Sequence, residues 1–328
     1  MLAKLATVIK KKSSGSKAAT SERPPVDEDE EVEAKKARLD EPPAPTPRKS
    51  PSAGSQASGS GQSAQLPNGK AKQAERFRYG NYNQYYGARL EQKFQPDPRF
   101  ELFRKEWFHR RAVLDVGCNI GLVTITLAKE FEPRRCVGID IDPALVGIAR
   151  KNIRHYCDEG VELAGGKIPM PQATDGETFP KFPNNVWFVC GNYVLETDDL
   201  LDAVKPEYDA ILALSISKWI HLNWGDAGLK RFFRRAFANL RTGGVFLLEP
   251  QEFSTYRKRA AKCPDMKKNY EEIRLKPDDF ADFLVRDVGF NRYEELGRPK
   301  AKTKDSSTSL PSFNCSSRFQ RPLIAFFK

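Results

Sequence analysis

Soft metal ligands are scarce in this chain: 328 residues include three histidines and six cysteines. The cysteines, at 118, 136, 157, 190, 263 and 315, stand far apart and form no Cys-x-x-Cys pair. That spacing argues against a zinc site and for a reducing compartment, so no metal is expected. Long apolar runs are missing as well. No stretch approaches the roughly 20 residues a membrane span requires, and no membrane partner is expected. The opening Met1-Leu-Ala-Lys-Leu-Ala-Thr-Val-Ile9 is short and broken by Lys4, which fits no secretory signal.

Aromatic residues are absent from residues 1–75, which are instead rich in Ser, Pro, Lys, Glu and Gly. Such a segment cannot bury enough apolar surface to offset the entropy of ordering, so a disordered tail is expected there. Within it, Lys35-Lys36-Ala-Arg38, flanked by prolines and an acidic run, resembles a nuclear import signal and points to the nucleus. The tail holds 13 Lys and Arg against 10 Asp and Glu, which leaves 41 against 33, a net of +8, on residues 76–328. An excess of that size favours a polyanionic partner, although a solvated surface of mixed charge would also carry it.

What is present is a strand-turn-helix signature. Ala112-Val-Leu-Asp-Val-Gly-Cys-Asn-Ile-Gly121 reads as a buried strand entering a glycine turn, and Leu122-Val-Thr-Ile-Thr-Leu-Ala128 continues as a helix. Gly117 and Gly121 would let backbone approach a ligand closely. A second apolar strand, Cys136-Val-Gly-Ile-Asp140, ends in an acid 23 residues after Gly117, at the strand tip where a carboxylate accepts from ribose hydroxyls.

Strands are expected near 112–116, 135–140, 186–190, 208–214 and 243–248, with helices over 121–131, 143–157 and 226–241 and a terminal strand over 322–327. This alternation predicts an α/β fold, a mostly parallel sheet with helices on both faces and ligands beyond the strand carboxyl ends. Residues 158–184 and 298–317 read as insertions in a domain spanning 76–328.

Two further constellations carry chemistry. Tyr79-Gly-Asn-Tyr82-Asn-Gln-Tyr85-Tyr86-Gly-Ala-Arg89 packs four tyrosines and an arginine into eleven residues. So many hydroxyls need polar partners, which favours a ligand-facing segment over a plain core stripe. After the fourth strand, Leu214-Ser-Ile-Ser-Lys218-Trp219-Ile-His221-Leu-Asn223-Trp224-Gly225 reads as a loop beside the strand tips, where a substrate wall would stand.

With two glycines and a preceding acid, Asp115-Val-Gly-Cys-Asn-Ile-Gly121 is similar to the first motif of class I S-adenosylmethionine-dependent methyltransferases. That likeness implies Asp115 near the cationic end of the cofactor and Asp140 on its ribose. Tyr79-Gly-Asn-Tyr82 with Tyr85-Tyr86, Asp115-Val-Gly-Cys-Asn119, Asn152-Ile-Arg-His-Tyr156, Phe182-Pro-Asn-Asn185, Gly191-Asn-Tyr193-Val, Lys218-Trp-x-His-Leu-Asn-Trp-Gly225 and Phe319-Gln-Arg-Pro322 together resemble the bicoid-interacting family of RNA methyltransferases over about residues 77–328.

The resemblance implies a Rossmann-like class I fold, S-adenosyl-L-methionine as cofactor and methyl transfer to the γ-phosphate of an RNA 5′-triphosphate, of the 7SK small nuclear type. It also implies retention of the capped RNA alongside a La-related protein. Tyr86, Arg89, Arg99, Asp115, Gly117 and Cys118 would line the cofactor, with Asn119, Asp140, Ile141, Asn192, Tyr193 and Leu214. Lys218 and Tyr85 would act at the reacting end. Tyr85, Lys218, Trp219, His221, Arg318, Phe319 and Arg321 would face the RNA. Two alternatives stay open: methylation of an RNA 5′-monophosphate, and a non-catalytic RNA-binding scaffold.

Overall fold

Four apolar runs form strands with the bounds their turn residues predict: β1 (Ala112–Val116), β2 (Arg135–Asp140), β3 (Val186–Cys190) and β4 (Tyr208–Leu214). The computed structural model describes residues 77–82, 97–157, 179–299 and 321–328. The expected tail over 1–75 lies outside them, as do Tyr85, Tyr86, Arg89, Arg318, Phe319 and most of the expected insertions. With β5 (Leu240–Glu249), β6 (Arg292–Gly297) and β7 (Leu323–Phe327), the strands form one seven-stranded sheet in the order β3-β2-β1-β4-β5-β7-β6. The pairs among β1 to β5 are parallel, and β7 lies antiparallel between β5 and β6.

Successive side chains on a strand point to opposite faces, and both faces here are apolar. Leu114, Ile211 and Phe246 join one core, with Phe232, Phe233 and Phe326. Their neighbours Val113, Leu212 and Leu247 join the other, with Ile125, Leu127 and Val146. The sheet is therefore covered on both sides, as the unbroken apolar runs require. Helix α1 (Leu122–Glu130) follows the glycine turn, and α2 (Pro143–Asn152) starts at Asp142, whose side chain accepts from Ala144 N at 2.8 Å. The expected continuation of α2 to 157 becomes a 3₁₀ turn over Ile153–Tyr156.

Three features depart from the sequence expectation. The segment expected as a loop after β4 is helical: α3 (Ser217–Asn239) runs from it to β5, interrupted only at Gly225 (φ 61°, ψ −167°). Burial of Ile220, His221 and Leu222 stabilises this first half. The edge strand β6 was not expected, because Arg292-Tyr-Glu-Glu-Leu-Gly297 is charged and largely exposed. Between β5 and β6 stand three short helices, α4 (Tyr256–Ala260), α5 (Pro264–Glu272) and α6 (Phe280–Phe283). The first two close a small core of their own, with Tyr256, Ala260, Cys263, Met266 and Ile273 packed on Leu222 of α3.

Candidate functional site

A cleft opens at the carboxyl ends of the central strands, where the order reverses between β1 and β4. Gly117 and Asn119 reach it after β1, Asp140 and Ile141 after β2, Asn192 and Tyr193 after β3, and Leu214 to Ile216 after β4. Trp219, Ile220 and Trp224 of α3 and the segment Tyr79–Asn81 complete its walls.

The floor is a turn built on positive φ at Gly117 (76°), Asn119 (53°) and Gly121 (82°). Its amides are committed within the protein. Gly117 N and Cys118 N donate to Ile139 O, Asn119 N to Asp140 Oδ2 at 2.8 Å, Ile120 N to Asn119 Oδ1 and Gly121 N to Cys118 O. A pyrophosphate cradle needs such amides pointing at the ligand, so this turn suits a nucleoside whose charge lies elsewhere. Asp140 is nearly buried, with Asn119 N on one oxygen and Asp142 N at 3.0 Å on the other. Burial raises its pKa, against those backbone donors. Each carboxylate oxygen keeps acceptor capacity toward the cleft, which matches a pair of ribose hydroxyls. S-adenosylmethionine, a nucleoside with a sulfonium and no phosphate, fits this donor set.

Several expected cofactor contacts sit behind the cleft rather than in it. Asp115 is buried under the turn and accepts from the Thr124 hydroxyl at 2.6 Å; desolvation lifts its carboxyl to about 6. Its side chain is not part of the cleft lining. The Cys118 side chain turns into the core beside Phe188, and burial pushes its thiol up. Gly121 serves packing, since a Cβ there would lie 2.6 Å from Phe188 Cζ and 2.9 Å from Ala149 Cβ. Tyr193 lines the cleft, yet its hydroxyl donates to Asn239 at 3.1 Å on the core side.

Arg99 is 1% exposed and held by Asp97 (Nη2–Oδ2 2.6 Å) and Glu249 (Nη1–Oε2 3.0 Å). Glu249 also accepts from the Ser215 hydroxyl, and Arg321 Nη1 donates to Ser215 Oγ at 2.7 Å. Arg99 thus supports the cleft wall at Ser215, while Arg321 reaches that wall from the strand β7 side. Glu249 and Gln251, whose side-chain oxygen accepts from Lys218 N at 3.0 Å, were not anticipated. Only their position at the tip of β5 could have signalled them.

The wall opposite the turn is aromatic and cationic. Lys218, half-buried on the first turn of α3, sets Nζ 5.2 Å from the Trp219 ring centroid and 3.4 Å from Thr255 Oγ1. Tyr79 stacks on Trp224 with centroids 5.6 Å apart, and Tyr82 meets Trp219 edge-on at 6.1 Å. Asn119 Nδ2 donates to Tyr82 O at 3.0 Å, and Asn81 Nδ2 to Asp142 Oδ2 at 2.6 Å. The Tyr79–Tyr82 segment therefore bridges the cofactor turn and the Lys218 helix. Arg259, also unanticipated, lies 4.9 Å from the Trp219 centroid and 5.7 Å from that of Tyr82, and donates to Phe77 O. His221 does not face the cleft. It is fully buried, with Nε2 2.7 Å from Asp226 Oδ1 across the Gly225 break, and desolvation lowers its pKa. Its expected contact with RNA gives way to joining the two halves of α3.

A family model described as Bicoid-interacting protein 3 (Bin3) matches residues 208–328, and one described as a methyltransferase domain matches residues 114–246. The 7SK snRNA methylphosphate capping enzymes of Mus musculus and Homo sapiens are each 42% identical over 294 residues, covering 79% of this chain and 42% and 40% of their own lengths. The chain thus spans about two fifths of the length of those relatives. The U6 snRNA methylphosphate capping enzyme Amus of Drosophila melanogaster is 37% identical over 266 residues, covering 80% of this chain and 79% of that protein.

Proposed function

This chain belongs to the Bicoid-interacting protein 3 (Bin3) family, with the class I fold of S-adenosylmethionine-dependent methyltransferases, and from that premise we propose that it methylates the γ-phosphate at the 5′ end of an RNA. The observation that carries this reading is the single cleft shared by the Asp140 turn and the Trp219 wall, with Lys218 beside it. The relatives' names support a small nuclear RNA of the 7SK type as the substrate and a methylphosphate cap as the product. Import into the nucleus through Lys35-Lys36-Ala-Arg38, and a La-related protein that helps retain the capped RNA, belong to the same proposal.

When bound, S-adenosylmethionine supplies a methyl carbon whose bond to a sulfonium sulfur breaks as a phosphate oxygen bonds to it, leaving a neutral thioether. Asp140 would hold the ribose, and Ile141 and Leu214 would flank the nucleoside. A terminal phosphate oxygen is an anion at neutral pH, so this chain need provide no general base. Its task is alignment. Lys218, a point charge on a flexible stem, would hold the phosphate without fixing every oxygen, and Arg321 would add a planar donor at the Ser215 wall. Tyr79, Trp219 and Trp224 would exclude water and offer a face for the first base. A cation at Lys218 would repel an amine acceptor, which separates this site from nitrogen methylation.

The test is incubation of the protein and labelled methyl donor with RNAs ending in triphosphate, monophosphate or hydroxyl. Label on triphosphate RNA alone is expected. Label on monophosphate RNA would move the assignment to the other specificity, and absence of cofactor binding by calorimetry would leave a scaffold.

A further inference from the structure

We propose that the helical insert between β5 and β6 carries a docking strip for the RNA body, formed by Arg257, Lys258 and Lys262, which grips backbone phosphates downstream of the 5′ end. This rests on RNA being the substrate of the cleft. From Thr255 to Pro264 the chain reads Tyr-Arg-Lys-Arg-Ala-Ala-Lys-Cys, with four cations and no acid. The small core of the insert assigns them different tasks. Tyr256, Arg259, Ala260 and Cys263 face inward, with Arg259 spent on Trp219, Tyr82 and Phe77 O. Arg257 and Lys258 are left exposed and Lys262 partly so.

The strip begins beside the reacting end, because Lys218 Nζ and Thr255 Oγ1 are 3.4 Å apart. The chain leaving the other wall has the opposite sign: after Asn192 to Val194 it carries Glu196, Asp198, Asp199 and Asp202, all exposed. Arg231 offsets only part of that charge, through Asp198 at 2.6 Å. A polyanion seated by its end at Lys218 is repelled along one rim and attracted along the other, so its body leaves over α4. The strip holds no exposed aromatic ring, which suits phosphate contacts that position without reading sequence.

The test is the triple substitution Arg257→Gln, Lys258→Gln, Lys262→Gln in the full chain, assayed on a triphosphate-ended hairpin and on a triphosphate dinucleotide too short to reach the strip. The expected result is a KM for the hairpin raised at least about tenfold, with the dinucleotide rate unchanged. Binding of a hydroxyl-ended hairpin should lose about 2 to 3 from the slope of log affinity against log salt, one counterion contact per removed cation. An unchanged hairpin KM and salt slope would overturn the strip. Failure of the unsubstituted protein to methylate either RNA would instead overturn the reading of the cleft. An equal loss on both RNAs would contradict the strip too, since it would mean that these residues support the cleft itself.

Discussion

The backbone of Gly80 lies close against the indole of Trp219: a Cβ on Gly80 would stand 2.1 Å from Trp219 Cε2. Gly80 also holds φ at +71°, which side chains disfavour. This contact closes the seam between the Tyr79–Tyr82 segment and the helix that carries Lys218. Gly80→Ala is expected to lift the segment away and lower methyl transfer by about tenfold to a hundredfold, as misplaced walls do. Because the clash is with Trp219, adding Trp219→Ala should not lower the rate further than the worse single change. Steady-state rates of the three variants check this.

Lys218→Ala should lower the methylation rate by about a hundredfold or more, the scale of losing a cation at a charged reacting group. Cofactor affinity should stay within about twofold, because Asp140 and the turn do not depend on Lys218. Calorimetry with S-adenosylmethionine beside single-turnover rates separates the two effects. A parallel fall in both would remove the role given to this lysine.

Asp140→Ala reverses the pattern. It deletes the acceptors assigned above to the ribose and also releases Asn119 N and Asp142 N. Affinity for the cofactor should fall by about tenfold to a thousandfold, on the basis of roughly 1.5–3 kcal/mol per bond to a charged group. An unchanged dissociation constant would refute the ribose assignment.

Much of this arrangement was legible in the sequence. β1 to β4 are apolar runs closed by Gly, Asp or Ser, and burial on both faces leaves such runs one solution. Asp140 was readable because its distance from Gly117 follows from strand, helix and strand lengths. What escaped was set by tertiary contacts. Lys218 to Asn223 interleave polar and apolar residues without strong helical periodicity, and the segment becomes helical because His221 finds Asp226 and Leu222 finds the insert core. β6 is charged and qualifies as a strand only through its partner β7. Arg99 was placed on the cofactor by the family resemblance alone, and its burial between Asp97 and Glu249, the latter 150 residues away, has no local sign in the sequence.

Asp115 predicts a pH dependence. Its folded pKa, about 6, lies above the ordinary 3.8 because desolvation outweighs the Thr124 hydrogen bond and the Arg99 charge. The folded state therefore holds this proton more tightly than the unfolded chain. The resulting stability is fully present below pH 3.8 and is lost as pH rises through about 6, a change of about 3 kcal/mol. Asp115→Asn keeps an acceptor for Thr124 and cannot ionise. Urea unfolding should show the variant gaining on the parent protein between pH 4 and pH 8. A difference that does not vary with pH would contradict the burial argument.

The atom that receives the methyl group decides whether the cleft sets a phosphate against the donor. RNA with a 5′-triphosphate, labelled by this protein and digested to nucleotides, should release the methyl group on the γ-phosphate of the first nucleotide, and Lys218→Ala should form that product about a hundredfold more slowly. Methyl recovered on a base or a ribose hydroxyl would contradict a cleft built to set a phosphate against the donor.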